Sequence, residues 1–227
     1  MGTTSTQNDL ETRERVLEAA EALFVEHGYN HVTVRAICRA AGANVAAVNY
    51  YFRDKLGLYQ EVLMKAIGCM HEVVKSAHEG KAGSSAEERF RHYVRTFMGH
   101  VLSDGIQCRA GKLMAREMAD PSPAFDLIID KAIRPNSARV AALVSELTGL
   151  PPADPRVGIC VGCIQTQIGG FTGPVAERMV PGGRFTGEII DFVADQVVEF
   201  SLAGMRAIAA DSNGFSPWSC GEKMERA

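Results

Sequence analysis

The sequence has 227 residues, enough for one or two ordinary domains, and 46% of them are hydrophobic, so a sizeable core can form. Its 22 glycines and 9 prolines are too few for a collagen-like or disordered chain, and the net charge of −3 excludes a uniformly basic nucleic-acid-binding protein. The polar residues 1–10 lack the apolar segment of a secretory signal, and no apolar stretch is long enough to span a bilayer. We therefore expect a cytoplasmic protein with reduced cysteines and without a membrane partner.

Amphipathic helices are predicted from residue 12 onward. Apolar residues at spacings of three and four predict a helix over residues 12–27, which ends at Gly28 in the left-handed conformation. Thr33 and Asn44 are suited to cap two short helices, and Asp54 is suited to cap a fourth helix.

The remainder of the chain is also predicted to be largely helical. Five further helices are expected over residues 86–102, 107–118, 124–147, 156–171 and 186–208. The third of these must bend near Pro135, because proline lacks the amide donor of a helix interior. Residues 1–11 are expected to be a flexible N-terminus, and residues 211–227 a polar C-terminal tail.

Two short helices joined by a tight glycine turn are typical of a helix-turn-helix, although an ordinary helical corner shows the same pattern. The predicted pair covers residues 33–41 and 44–51. Charge favours DNA binding, because residues 33–55 contain four basic side chains and one acidic side chain in an acidic protein. The outward positions of the second helix are small, amide or aromatic residues, which suit contacts with base edges and phosphates.

Residues 12–67 resemble the N-terminal DNA-binding domain of the TetR family of bacterial repressors. The resemblance rests on Arg15 to Ala20, Leu23, Phe24, Gly28, Tyr29, Thr33, Val34, Ile37, Ala40 to Gly42, Tyr50 to Phe52, Lys55 and Leu58. It implies an all-α fold of about nine helices. In that fold, a three-helix helix-turn-helix domain is followed by a helical effector-binding and dimerisation domain over residues 68–210.

The resemblance also implies which residues contact DNA. Residues 44–51 would enter the major groove, and flanking hydroxyl and ammonium groups would bind phosphates. The predicted DNA-binding residues are Thr33, Arg35, Asn44, Val45, Ala46, Ala47, Asn49, Tyr50, Tyr51 and Lys55. Asn49 departs from the family's aromatic cluster, so we expect it to read a base. Leu56 and Gly57 stand where acidic residues are common, which leaves the start of the fourth helix less charged than usual.

A second resemblance covers much of the remaining chain. Cys108 to Gly111, Glu117, Pro121, Pro123, Ile133 to Pro135 and Gly162 to Ile164 are similar to the CecR-type (YbiH-like) C-terminal domain of the same family. The two resemblances imply a homodimer that binds double-stranded operator DNA and a small-molecule effector. No catalytic constellation or cofactor motif is recognisable, so we expect neither an enzyme nor a cofactor.

Two apolar stripes predict a dimer interface built as a four-helix bundle, with the alternative that both stripes lie in the core of one chain. The first stripe is Val157, Cys160, Val161, Ile164, Ile168 and Phe171, and the second is Ile189, Phe192, Val193, Val197 and Phe200. Ligand pockets typically combine large apolar side chains with a few polar groups, and residues of these two kinds in the C-terminal domain are predicted to bind the effector. Such residues are also common in ordinary protein cores. The predicted effector-binding residues are Phe90, Tyr93, Phe97, His100, Met114, Glu117, Met118, Phe125 and Gln167.

Cys160 and Cys163 form a CxxC motif on a predicted helix. Core thiols are the favoured interpretation, because zinc would need two more ligands and a redox site would need a βαβ setting. The expected function is a repressor that an effector releases from a palindromic operator. The alternatives are a redox- or metal-responsive regulator acting through these two thiols, and a helical ligand-binding protein or enzyme that carries the same N-terminal domain.

Overall fold

The computed structural model describes residues 3–80, 83–105, 108–172 and 174–210, and every regular element in these ranges is helical. The α-helices are α1 (Thr3–His27), α2 (Val34–Ala41), α3 (Val45–Phe52), α4 (Lys55–His78), α5 (Ala86–His100), α6 (Arg109–Ala119), α7 (Phe125–Ile128), α8 (Arg134–Thr148), α9 (Pro155–Gly170), α10 (Pro174–Met179) and α11 (Gly187–Ala210). Nine of these helices have at least eight residues, so the predicted all-α fold is confirmed. None of the helices in the described ranges combines the length and apolar character needed to cross a membrane.

Helix α1 begins earlier than the apolar periodicity predicts. The expected flexible N-terminus is helical from Thr3 onward, whereas the predicted start was residue 12. The residues of α1 before position 12 are polar apart from the exposed Leu10, so apolar periodicity could not detect this extension. The extension makes a distant contact, because Asp9 accepts a hydrogen bond from the hydroxyl of Tyr51 at 3.1 Å. The predicted polar tail, residues 211–227, lies outside the described residues.

The predicted helix over residues 124–147 is instead three consecutive elements. A π-helical turn (Ile129–Ile133) separates α7 from α8, and Pro135 lies in the first turn of α8. Proline leaves the carbonyl four residues earlier, that of Lys131, without its usual amide donor. The imidazole Nε2 of His71 lies 2.7 Å from this carbonyl oxygen, which can only accept, so a side chain from α4 supplies the missing donor.

The chain forms two compact units that do not follow sequence order. Among the described residues, the N-terminal unit contains those of ranges 3–76 and 99–136, and the C-terminal unit contains those of ranges 77–98 and 137–210. The core of the N-terminal unit includes Leu113, Ala124 and Ile128 from α6 and the segment that follows it, together with Phe24 of α1 and Leu58 of α4. The unit that holds the helix-turn-helix therefore also includes α6 and α7.

Candidate nucleic-acid interface

The turn between α2 and α3 has the predicted capping geometry. The Oγ1 atom of Thr33 accepts a hydrogen bond from the amide of Ala36 at 3.2 Å, and Oδ1 of Asn44 accepts one from the amide of Ala46 at 3.1 Å. Gly42 between the helices has a φ of 60°, in the left-handed region that favours glycine. These local bonds hold two short helices at a tight angle, as a helix-turn-helix requires.

Each short helix buries one side and leaves the other in solvent. Ile37 and Cys38 of α2 are buried, as are Val48 and Phe52 of α3, and they join the core of the N-terminal unit. This burial fixes the rotation of α3 about its axis. The opposite side of α3 therefore projects outward, with Tyr50 77% exposed.

The turn between α3 and α4 requires glycine at position 57. A Cβ atom built there would overlap the carbonyl oxygen of Phe52. The amide of Gly57 donates to Oδ1 of Asp54 at 2.8 Å, which confirms Asp54 as the cap of α4. Arg53 completes the turn with a φ of +72°, the only positive φ outside glycine among the described residues. The absence of an acidic residue at position 57 thus has a steric cause.

All ten predicted DNA-binding residues have accessible surface. Thr33, Arg35, Asn44, Val45, Ala46, Asn49 and Tyr50 are exposed, and Ala47, Tyr51 and Lys55 are partly buried. Among the described residues, no carboxylate forms an ion pair with Arg35, Arg39 or Arg53 on this side of the unit. The cationic groups are therefore available for phosphates, and the contacts with DNA stay a prediction.

Two of the predicted phosphate-binding groups already have partners within the chain. The ammonium of Lys55 lies 4.1 Å from the centre of the Tyr29 ring, and partial burial lowers the pKa of Lys55. Tyr51 donates its hydroxyl hydrogen to Asp9, and desolvation together with this bond raises the pKa of the Tyr51 phenol. A phosphate that bonds to Tyr51 would compete with the Asp9 carboxylate.

The predicted effector residues are divided between the two units. His100, Met114, Glu117, Met118 and Phe125 belong to the N-terminal unit, and Phe90, Tyr93, Phe97 and Gln167 belong to the C-terminal unit. Phe90 and Tyr93 are buried, and the ring of Tyr93 stacks on Phe97 at 5.7 Å between centroids. None of the nine residues lines either of two cavities of about 300 and 280 Å³ in the described structure.

Glu117 is a structural residue rather than an effector ligand. It is 1% exposed, and Oε1 accepts a hydrogen bond from Tyr59 at 2.5 Å. Oε2 accepts two more, from the amide and the hydroxyl of Ser122 at 3.2 and 3.1 Å. Both carboxylate oxygens are engaged inside the chain, so the effector role predicted for Glu117 is corrected.

The first predicted dimer stripe is largely intramolecular core, whereas only Val197 of the second stripe is buried. Val157, Cys160, Val161, Ile164, Ile168 and Val197 are at most 6% exposed within one chain, so a second chain could cover almost no more of their surface. Phe171, Ile189 and Val193 are partly buried. Phe192 and Phe200 are 65% and 72% exposed, and Ile159 of α9, which the stripe did not include, is 54% exposed. The apolar surface open to a partner therefore includes two residues of the predicted second stripe, Phe192 and Phe200, and a side of α9 that the first stripe did not include.

The CxxC thiols are in two different environments. Cys160 is buried, and desolvation raises the pKa of its thiol, which disfavours the reactive thiolate. Cys163 is exposed, so the core interpretation is wrong for this residue. Within the described ranges, no group of three or more His, Cys, Asp or Glu side chains is placed to hold a metal ion.

Comparison with known proteins gives two family matches. Residues 16–62 match the model for bacterial regulatory proteins of the tetR family, and residues 86–205 match the C-terminal domain of the HTH-type transcriptional dual regulator CecR. The chain is 36% identical over 194 residues to the HTH-type transcriptional repressor AcnR of Corynebacterium diphtheriae, which covers 82% of this chain and 90% of that protein. It is 26% identical over 155 residues to CecR of Shigella flexneri, covering 65% and 69% of the two chains.

Solved structures share the fold at low sequence identity. A TetR-family transcriptional regulator from Streptomyces coelicolor superposes with a TM-score of 0.63 and 17% identity, over 86% of this chain and 96% of that one. AibR, in complex with isovaleryl coenzyme A and operator DNA, superposes with a TM-score of 0.61 and 17% identity, over 83% and 97%. The helical architecture is thus that of these regulators.

Proposed function

This chain belongs to the TetR family of bacterial transcriptional regulators and carries the family's CecR-type C-terminal domain, and from this premise we propose that α3 reads the major groove of an operator. The observation that carries the proposal is the outward side of α3. It presents Asn49 and Tyr50 while the opposite side is buried, and the exposed Arg35, Arg39 and Arg53 of the same unit have no carboxylate partner in the described structure. Amide, phenol and guanidinium groups of this kind can form hydrogen bonds with base edges and phosphates.

We propose that the regulator acts as a homodimer in the cytoplasm. The support is the apolar surface of Ile159, Phe192 and Phe200 on α9 and α11, two helices that pack on each other within the chain. Two helices from each chain, related by a two-fold axis, would bury these side chains in a four-helix interface. A two-fold dimer presents two α3 helices to the half-sites of a palindromic operator.

Release by a small molecule follows from linkage between two sites. An effector weakens operator binding only if it binds the conformation that is unfit for DNA more tightly. AibR, which shares the fold, is known in complex with both isovaleryl coenzyme A and operator DNA, which supports an effector role in this chain. The named repressor among the relatives supports repression as the direction of control.

The experiment that tests this proposal is a DNA-binding titration. The purified protein is mixed with the duplex that lies upstream of its own gene and, separately, with a random duplex, each at salt concentrations from about 50 to 200 mM. Selective binding that weakens steeply with salt supports the proposal, because phosphate contacts release counterions. If the upstream duplex and the random duplex bind equally, duplexes are selected from a random pool for binding to the protein. The proposal is contradicted if these selected duplexes also bind no more tightly than the random duplex.

A further inference from the structure

A cavity of about 300 Å³ lies within the N-terminal unit, and none of the residues predicted to bind an effector lines it. It is formed by α1, by the middle of α4 and by the start of α6. The lining residues are Glu21 of α1, Val62, Lys65, Ala66 and Cys69 of α4, and Cys108, Arg109, Ala110 and Leu113 at the start of α6. We propose that this cavity is an effector site for a small organic anion that has an apolar body and one anionic group. Its regulatory effect rests on the function proposed above.

The size and the walls of the cavity suit an apolar body. Val62, Ala66 and Leu113 are buried side chains that face it, and the surface they present is predominantly apolar. Its volume is at the lower end of the range for small-molecule sites, and engineered apolar cavities of about half that size bind benzene. The cavity is partly open to solvent, and an apolar ligand body that contacts these buried walls would displace water from them.

The charges around the cavity select an anion. Nζ of Lys65 lies 2.6 Å from Oε2 of Glu21, so these two groups neutralise each other. Arg109 has no carboxylate partner among the described residues, and its guanidinium is left as the net positive group of the lining. A planar guanidinium binds a carboxylate or sulfonate through two parallel hydrogen bonds. A cationic ligand would face this charge without compensation.

The position of the cavity couples it to the DNA-binding helices. The second half of α6 is fixed to the same unit, because Nη2 of Arg116 donates to the carbonyl of Glu26 at 2.9 Å and Glu117 accepts from Tyr59. The first turn of α6 instead borders the cavity, opposite α1 and α4. A ligand there would push the first turn of α6 away from the two helices that support α2 and α3. We therefore expect occupancy to lower operator affinity, and operator binding to lower ligand affinity by the same factor.

Two matched probes test the site on the full chain. The first is 1-anilinonaphthalene-8-sulfonate, which combines an apolar ring system with one anionic group, and the second is N-phenyl-1-naphthylamine, which has the same rings without the charge. The variant Arg109→Gln removes the proposed anion partner. Lys112→Gln is the control, because it removes an exposed cation from the next turn of the same helix, outside the cavity lining. Ala66→Leu fills the cavity from its buried wall, and circular dichroism verifies that each variant is folded.

The expected result is a loss of sulfonate binding of at least about tenfold in Arg109→Gln and in Ala66→Leu, with less than a twofold change in Lys112→Gln. Binding of the uncharged probe should respond to Ala66→Leu alone. Equal sulfonate affinity in the native chain and in Arg109→Gln would overturn the site.

The regulatory part has a separate readout. At a saturating sulfonate concentration, the operator dissociation constant should rise at least about fivefold in the native chain and stay unchanged in Arg109→Gln. A change below twofold in the native chain would overturn the coupling. Failure of the proposed function is distinguishable from failure of this site. The first would appear as a lack of selective DNA binding in the absence of any probe.

Discussion

Tyr59 of α4 donates a hydrogen bond of 2.5 Å to Glu117 of α6, and both side chains are buried. Because Ser122 supplies the other two donors, this carboxylate is satisfied entirely from within the N-terminal unit. A buried carboxylate is costly unless hydrogen bonds compensate for lost hydration, so each donor contributes to keeping α6 in place. The relationship ties the helix that borders the cavity to the helix that follows α3.

Removing the Tyr59 hydroxyl should destabilise the fold. Tyr59→Phe leaves one oxygen of Glu117 without its donor, which we expect to lower the free energy of unfolding by about 1–3 kcal/mol, measured by urea denaturation. Tyr29→Phe is the control, because Tyr29 belongs to the same ring cluster and no hydrogen bond of its hydroxyl is present among the described residues. Equal losses in both variants would show that the bond to Glu117 contributes nothing beyond the loss of a hydroxyl from this ring cluster.

The same variant has a pH signature. Burial and the bond to Glu117 raise the pKa of Tyr59 above its usual value of 10.0. In the folded chain the phenol stays protonated at a pH where the unfolded chain ionises, so this stabilisation is complete below about pH 10 and declines above it. The unfolding free energy of the native chain should therefore fall more steeply from about pH 10 upward than that of Tyr59→Phe. Parallel pH profiles would contradict this assignment.

Two glycines of α4 should respond oppositely to alanine. At Gly57 a Cβ would overlap the Phe52 carbonyl, so Gly57→Ala should destabilise the chain by about 1–3 kcal/mol and disturb the α3–α4 turn. At Gly68 the space around a Cβ is open in the described structure, and Gly68→Ala should stabilise by up to about 1 kcal/mol through helix propensity. Thermal unfolding of both variants checks the pair. A stable Gly57→Ala chain with native operator affinity would refute the steric argument.

Features set by near neighbours could be predicted from the sequence. Thr33, Asn44 and Asp54 cap helices through amides two or three residues away, and Gly42 ends α2 through its own backbone conformation. These bonds depend on residue type and spacing alone, so a local pattern is sufficient. The bounds of α5, α6, α9 and α11 agree with the predicted bounds to within two residues, whereas α1 begins nine residues early and the helix predicted across Pro135 is divided.

Features set by distant partners could not be predicted in this way. Glu117 looked like a pocket residue because its donor Tyr59 is 58 positions away in the sequence. An apolar stripe on α9 shows that one side is buried, but it does not show whether the cover is the same chain or a second one. The cavity was missed because its apolar residues belong to helix stripes, and its polar members, Lys65 and Arg109, looked like ordinary surface cations.

The extension of α1 should weaken DNA binding through Asp9. This carboxylate occupies the Tyr51 hydroxyl and adds a negative charge beside a predicted phosphate site. Asp9→Ala removes both the charge and the acceptor, and it should therefore tighten binding to operator and random DNA alike, by about two- to fivefold. Glu11→Ala removes an equal charge from an exposed position on the same helix and measures the long-range electrostatic contribution to DNA binding. If the two variants tighten binding equally, the hydrogen bond to Tyr51 has no specific effect.

The dimer should depend on the exposed phenylalanines of α11. Phe192→Ser and Phe200→Ser remove apolar surface that we place between two chains, so the double variant should sediment as a monomer at concentrations where the native chain is a dimer. Met179→Ser is the control, because this residue of α10 is 81% exposed and lies outside α9 and α11. Dissociation caused by the Met179 change alone would place the interface elsewhere.

Asn49 and Lys55 should affect DNA binding in different ways. Asn49 is exposed on α3, where an amide can bond to an adenine edge, so Asn49→Ala should cost about 1–3 kcal/mol on the preferred operator and relax the preference at one base pair. Lys55 carries a charge held over the Tyr29 ring, so Lys55→Ala should weaken binding to operator and random DNA equally and reduce the salt dependence by about one counterion. Titrations against single-base operator variants distinguish the two effects. A uniform loss in Asn49→Ala would mean that this residue only holds the backbone, and a base-selective loss in Lys55→Ala would exclude a purely phosphate role for that cation.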